Sequence, residues 1–298
     1  MSEVRDEGIT RRPVRTARET CIEPGADDLA VEAPLEVRVE APLEDGSVER
    51  RSVLLLRTPG DDLALAAGLL VAEGVLAHPD ELASLEPVED AAGSVVLARL
   101  ARTSRPSLGG LDRTSFVSSS CGACGKTSIA AVEVRRRHAT TPRMPRLAPE
   151  VVHGLPEAMR GAQSDFARTG GVHAAGLFDA EGRLLSLRED VGRHNALDKV
   201  VGREFLAGRL PLRDRLVLVS GRAGFDLVQK AAMAGVPVLA AVGAPSSLAV
   251  DLARACGITL LGFVRSRRFN AYADLGRLAD GVAAGRGGRC VPQEASAT

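Results

Sequence analysis

From Gly170 onward, short apolar runs alternate with stretches of about ten residues that carry apolar positions at helical spacing, and this pattern constrains the fold more than any other feature. Val172–Leu177 and Leu184–Leu187 are apolar runs joined by Asp179-Ala180-Glu181-Gly182, which reads as a hairpin turn. A helix is predicted from about Ala196. Strands follow at Leu216–Val219, Val236–Val242 and Ile258–Val264, separated by helices at Phe225–Ala234 and Ser246–Ala255 that stop at Gly235 and Gly257. Strand, helix, strand, helix, strand implies parallel crossovers in a sheet covered on both faces. The prediction is an α/β fold, a mixed sheet with one hairpin and βαβαβ crossovers. Ligands of such sheets gather at the carboxyl ends of the strands. Ser220–Gly224, Gly243–Ser247 and Arg265–Phe269 are therefore expected on one rim.

The preceding chain reads as a smaller N-terminal α+β unit at 34–115. Leu35–Val39 and Ser52–Leu56 are strand-like around a turn at Glu44-Asp45-Gly46, Asp61-Asp62 caps a helix to about Glu73-Gly74, and Ser94–Leu97 is a further short strand. Residues 116–169 hold a cysteine-bearing loop and helices at Ile129–His138 and Pro149–Phe166. The mixed α/β sheet, where a ligand is expected, spans 170–280. Residues 1–33 and 281–298 are poor in large apolar side chains and are expected to be flexible tails.

Composition excludes several classes. The chain has 298 residues and equal acidic and basic totals of 38, so a general nucleic-acid or membrane-surface binder is not expected. The apolar run at Leu63–Ala72 is far shorter than a membrane span, and the first residues lack a secretory core. Five cysteines are too few for a disulfide scaffold, which points to a reducing cytoplasm. Lysine occurs only at Lys126, Lys199 and Lys230; the other basic residues are arginine.

The most informative stretch is Ser118-Ser119-Ser120-Cys121-Gly122-Ala123-Cys124-Gly125-Lys126. Two thiols two residues apart among small residues, just before an expected helix start and beside a lysine, favour the reactive thiolate. Four readings compete: a structural zinc site, a dithiol redox pair, a nucleophile that accepts sulfur as a persulfide, and a glycine-rich turn with two incidental cysteines. Zinc needs about four ligands, and Cys21, Cys256 and Cys290 are scattered. Incidental packing fits those three cysteines better than it fits a pair in a polar loop.

Five blocks in order, SSSCGACGKTS, GGVHAAGLFD, REDVGRHNALDKV, SGRAGFDLVQKAAMAGVPVLAAVGAPSSLAVDLA and GITLLGFVRSRRFNAY, resemble the FdhD family of formate dehydrogenase accessory sulfurtransferases, over roughly residues 35–275. The resemblance implies a cytidine-deaminase-like fold and a homodimer. It implies a sulfur carrier that accepts sulfur from a cysteine desulfurase. The sulfur passes to the molybdenum bis(molybdopterin guanine dinucleotide) cofactor destined for formate dehydrogenase. By position, Cys121 carries the persulfide and Cys124 is its partner. Phe263, Val264, Arg265, Ser266, Arg267 and Arg268 are implied to contact the cofactor.

A guanine-dinucleotide ligand needs amide donors, guanidinium forks and glycines. Ser220, Gly221 and Arg222 stand between a strand and a helix start, where a phosphate would sit, although an ordinary tight turn has the same composition. Arg188–Asn195 packs five ionisable residues into eight positions, with Asn195 as the expected helix cap and His194 as a candidate proton donor or cofactor contact. His173 lies in an apolar run and reads equally as a core histidine or a catalytic one. Two other functions remain at this point. One is a cofactor chaperone whose cysteines are secondary. The other is a zinc-dependent nucleobase deaminase, which the absence of H-x-E disfavours: His78-Pro79-Asp80 stands here instead.

Overall fold

The computed structural model describes residues 8–90, 93–102, 108, 111 and 146–279. Its centre is a six-stranded mixed sheet in the order β12-β11-β10-β9-β7-β8. Its strands are β7 (His173–Phe178), β8 (Leu184–Asp190), β9 (Leu216–Val219), β10 (Val238–Ala241), β11 (Thr259–Arg265) and β12 (Arg268–Ala273). β9, β10 and β11 run parallel, with Val238 facing Leu216 and Thr259. β7 and β8 form the antiparallel hairpin expected from the turn at 179–182.

Period two in the strands splits the core. Val217, Val219, Leu239, Ala241 and Leu260 point to one face. There they meet α4 (Arg193–Leu206), α5 (Phe225–Met233) and α6 (Ser247–Cys256). Leu216, Leu218, Val238, Ala240 and Leu261 point to the other face and meet Val152, Leu155 and Met159 of α2 (Pro149–Ala162). Both faces are covered, which is why β9 and β10 are apolar at every position.

A four-stranded sheet in the order β4-β3-β6-β5 is built from β3 (Ala33–Pro42), β4 (Val48–Arg57), β5 (Leu82–Asp90) and β6 (Gly93–Leu100). β3 alternates strictly: Leu35, Val37, Val39 and Ala41 are buried, and the residues between them face outward. The outward side carries charge pairs such as Arg50–Glu40 and Arg99–Glu86. The helix α1 (Asp62–Ala72) lies between this sheet and α4, and buries every residue from Ala64 to Ala72. One continuous apolar cluster therefore runs from Leu35 through α1 and α4 to Leu260. α1 and α4 cross at Gly68 and Gly202. A Cβ on Gly202 would lie 1.8 Å from the Ala64 carbonyl oxygen, and one on Gly68 would lie 1.9 Å from the Asp198 carbonyl oxygen. Only hydrogen side chains permit that approach.

The structure departs from the sequence reading in four places. Where a flexible tail was expected through residue 33, β1 (Ile9–Arg18) and β2 (Cys21–Ala30) form an antiparallel hairpin. Composition measures burial, but a hairpin is held mainly by its backbone ladder. This one also gains cross-strand pairing of Arg11 with Asp28 and a tie from Asp28 to Arg168. β5 and β12 were not foreseen, because Pro87 breaks the first pattern and the second is polar and edge-exposed. The predicted helix 149–166 is two helices, α2 and α3 (Ser164–Thr169), separated at Gln163. α4 begins after Gly192, not at Asn195. The predicted helix at 129–138 and the tail at 281–298 lie outside the described residues. Among the described residues, no helix is long and apolar enough to cross a membrane.

Candidate functional site

The turns after β9, β10 and β11 meet on one rim, as their place in the chain predicted. Ser220–Gly224 leads from β9 into α5, and Gly243–Ser246 leads from β10 into α6. Backbone bonds tie the two turns together: Gly243 N donates to Gly221 O at 2.8 Å, Ala223 N to Ala244 O at 3.1 Å, and Ser246 N to Ala223 O at 3.1 Å. The third segment joins through Phe263 N, which donates to Gly243 O at 3.0 Å. These bonds leave a pre-shaped edge with little freedom to rearrange.

Phe263 is the strained residue of that edge. The β11–β12 ladder slips between Gly262 and Arg265, and Phe263 sits in the slip with φ of 51°. An aromatic residue in the left-handed region costs on the order of 1–3 kcal/mol and persists only where its surroundings enforce it. Bulges of this kind re-aim side chains beside binding sites. Val264 turns inward and is fully buried in the α2-side cluster, so its side chain is absent from the rim surface. Arg265 folds back, with Nη1 donating to the carbonyls of Val242 at 2.7 Å and Val264 at 2.9 Å, so it organises the end of β10. Ser266, Arg267 and Arg268 form the exposed tip. Arg222, Arg267 and Arg268 are exposed, with no ion-pair partner among the described residues. Their guanidinium groups are the ones placed to meet an anionic ligand.

The segment 188–195 reaches the same rim from β8, and most of its charge is committed to structure. Arg188 pairs with Asp61 at 2.9 Å. Glu189 accepts from the amides of Asp165 and Phe166 at the start of α3, and burial raises its carboxyl above the ordinary range. Asp190 is wholly buried and fully engaged. Gly192 N and Asn195 Nδ2 donate to its Oδ1, and Thr58 N and Lys199 Nζ bond its Oδ2. The expected cap at Asn195 is thus replaced: Asn195 lies inside the first turn, held between Asp190 and the Leu56 carbonyl. Two of the three lysines have structural partners, Lys199 with Asp190 and Lys230 with Asp198 at 2.7 Å. Burial pushes the Asp198 carboxyl up to about 6, against the pull of Lys230.

Two histidines stand where these segments converge. His194 in the first turn of α4 is largely buried. Its Nε2 has no hydrogen-bond partner and lies 3.7 Å from Asp226 Oδ2. Burial, with Lys230, Arg193 and His173 nearby, depresses its ring to about 3, so it is neutral at physiological pH. His173 opens β7 and is half-buried at the rim, which removes the reading of a sealed core histidine. Its Nδ1 lies 3.5 Å from Ser220 Oγ. Burial lowers its pKa first and Arg193 second, with Asp190 opposing. A cleft of about 590 Å³ opens beside it, lined by Met159, Phe166, His173, Val191, Ser220 and Val242. Arg160 covers the Phe166 ring at 4.1 Å.

Of the residues singled out in the sequence, Ser220, Gly221, Arg222, His194, Phe263 and Arg265 to Arg268 come together on this rim. Cys121, Cys124 and Lys126 lie outside the described residues. Cys21 is exposed at the end of the β1–β2 hairpin, and Cys256 is buried in α6. The sequence left His173 open between a core and a catalytic histidine, and marked Arg193 only as one of the charges at 188–195. The available signal was a histidine at a strand start, whose pairing with the turn after β9 appears only in three dimensions.

Comparison with known proteins bears on most of the chain. The FdhD/NarQ family model matches residues 30–279. A sulfur carrier protein FdhD of Streptomyces avermitilis is 49% identical over 285 residues, covering 93% of this chain and 98% of its own length. The protein of the same name from Mycobacterium tuberculosis is 45% identical, covering 85% and 92%. A crystal structure from Desulfotalea psychrophila, described as that of a candidate formate dehydrogenase accessory protein, superposes with a TM-score of 0.67 at 22% identity. It covers 91% of this chain and 99% of that one, and shows the shared fold.

Proposed function

This chain belongs to the FdhD/NarQ family, and on that premise we propose that it is a sulfur carrier serving formate dehydrogenase. Sulfur arrives on Cys121 from a cysteine desulfurase and leaves for a molybdenum bis(molybdopterin guanine dinucleotide) cargo seated on the rim. The observation that carries the reading is the convergence of Ser220–Gly224, Gly243–Ser246 and the strained Phe263 segment on one edge, with Arg222, Arg267 and Arg268 exposed there. The Cys-x-x-Cys pair of the same chain supplies the sulfur chemistry. The setting is a reducing cytoplasm and the assembly a homodimer.

The Cys121 thiolate attacks the outer sulfur of the donor's persulfide. A sulfur–sulfur bond forms on Cys121, the donor's own sulfur–sulfur bond breaks, and the donor leaves as a thiolate. Attack by the Cys124 thiolate on the inner sulfur then expels hydrosulfide for the cargo and closes a Cys121–Cys124 disulfide. A cellular dithiol returns that disulfide to two thiols, becoming oxidised itself. The rim's part is to bind and orient: amides and guanidinium groups hold phosphates, and the fixed turns keep them in place.

Incubation with a cysteine desulfurase and cysteine, followed by mass spectrometry, tests the carrier reading. The peptide containing residues 121–124 gains one sulfur atom, and Cys121→Ala abolishes both that gain and activation of formate dehydrogenase. Full activation by Cys121→Ala refutes the carrier role and selects a cofactor chaperone.

A further inference from the structure

His173 and Arg193 both approach the glycine of the first rim turn. A Cβ on Gly221 would meet His173 Nδ1 at 3.5 Å, His173 Cε1 at 3.6 Å and Arg193 Cδ at 3.9 Å. The two basic side chains, one from the start of β7 and one from the first turn of α4, thus both lie against the side-chain face of a residue that carries no side chain. Ser220 fixes the ring: its Oγ accepts from Ala174 N at 2.9 Å and lies 3.5 Å from Nδ1. The hydroxyl can meet Nδ1 either as donor or as a second acceptor, so it holds the ring in either tautomer. His173 and Ser220 also line the 590 Å³ cleft, so the ring borders open volume large enough for a nucleotide fragment.

We propose that His173 and Arg193, which both pack against the side-chain face of Gly221, receive a phosphate diester of the dinucleotide cargo, and that His173 takes up one proton as that anion arrives. The inference rests on the cargo reading given above and adds a contact and a proton to it. The charges around the ring set the direction. Arg193 and His194 of α4 face it, Asp190 stands at the end of β8, and Ser220 lies beside it. Arg160 of α2 lies across the cleft, and Lys230 of α5 stands behind His194. Without an anion beside it, burial first and Arg193 second favour the neutral ring. An anion between His173 and Arg193 reverses the balance and favours the imidazolium. Proton and anion then bind cooperatively, and affinity falls as pH rises.

The probe is diguanosine 5′,5′-diphosphate, whose two diester phosphates keep fixed charge near neutrality. Calorimetry at pH 6.5 in buffers of different ionisation enthalpy counts the protons taken up. The wild-type chain is expected to bind with uptake approaching one proton, and to bind about tenfold more tightly at pH 6 than at pH 8. His173→Gln is expected to bind about tenfold more weakly at pH 6, without uptake, and to match the wild type at pH 8. His78→Gln, in the 3-10 turn at Pro79–Glu81, retains the uptake. Binding without uptake by the wild type, or uptake that survives His173→Gln, overturns the inference and leaves the cargo rim standing. No binding to the wild type at any pH overturns the rim itself.

Discussion

The crossing of α1 and α4 offers the sharpest test of the packing. In Gly202→Ala the new methyl carbon would sit 1.8 Å from the Ala64 carbonyl oxygen and 2.6 Å from Gly68 N. A carbon–oxygen contact needs about 3.2 Å, so the helices must part by about 1.4 Å. Both obstructing atoms are backbone, so no rotamer change relieves the clash. α1 is buried from Ala64 through Ala72, and a gap wider than ~1 Å forfeits more than about half of the dispersion attraction along the contact. Overpacking a core costs ~1–3 kcal/mol and occasionally more. With the backbone itself obstructing, about 3–4 kcal/mol is expected, a large fraction of a total stability of about 5–15 kcal/mol. For a chain of this size that corresponds to a fall in Tm of about 5–6 °C. The chain has no tryptophan and one tyrosine, so urea and thermal unfolding are best followed by far-ultraviolet circular dichroism. Gly154→Ala and Gly161→Ala in α2 serve as controls. Nothing lies within 4 Å of either new methyl, so helix propensity is expected to stabilise each by up to ~1 kcal/mol. Gly68→Ala with Gly202→Ala should cost less than the sum of the two, because the first methyl already separates the helices. Stability of Gly202→Ala within about 0.5 kcal/mol of the wild type would refute the backbone contact.

Asp190→Asn leaves the Lys199 ammonium buried without its counter-charge and should cost ~3–5 kcal/mol in urea unfolding. Asp190→Asn with Lys199→Met should recover part of that loss, and no recovery would show that the pair is not the cause. For His194, the folded pKa of about 3 lies below the ordinary value of 6.5, so the native state binds fewer protons and loses stability as pH falls from 6.5 toward 3. Asp198, at about 6 in the folded state against 3.8, acts in the opposite direction between pH 6 and 3.8 and masks part of that loss. His194→Gln should therefore gain about 2 kcal/mol relative to the wild type between pH 7.5 and pH 4.5, and parallel stability profiles would contradict the buried neutral ring. Arg267→Ala should weaken diguanosine diphosphate binding about tenfold by calorimetry, the worth of one charge-assisted phosphate contact. Unchanged binding removes Arg267 from the rim site.

The α/β pattern after Gly170 was legible because both faces of the six-stranded sheet are covered. Buried strands such as Leu216–Val219 read as unbroken apolar runs, and their crossover helices end at glycine. The rim was legible for the same topological reason, since parallel strands deliver all their following turns to one end. The β1–β2 hairpin and β12 were not legible, because exposed ladders are held by backbone bonds that composition does not register.

Local order along the chain determined which segments became strands and helices, and it set the Cys-x-x-Cys motif between small residues. Those properties depend on neighbours within a few positions. Which side chains remain available to a ligand was decided only by the tertiary structure. Lys199 and Arg265 carry the same charge in the sequence as Arg222 and Arg267, yet they are committed to a buried carboxylate or to strand-end carbonyls. His173 gains its place beside Gly221 and Arg193 from strand pairing between β7 and β9, across more than forty residues of chain. Burial and the approach of distant charges set a side chain's chemistry, and both arise only when the layers close.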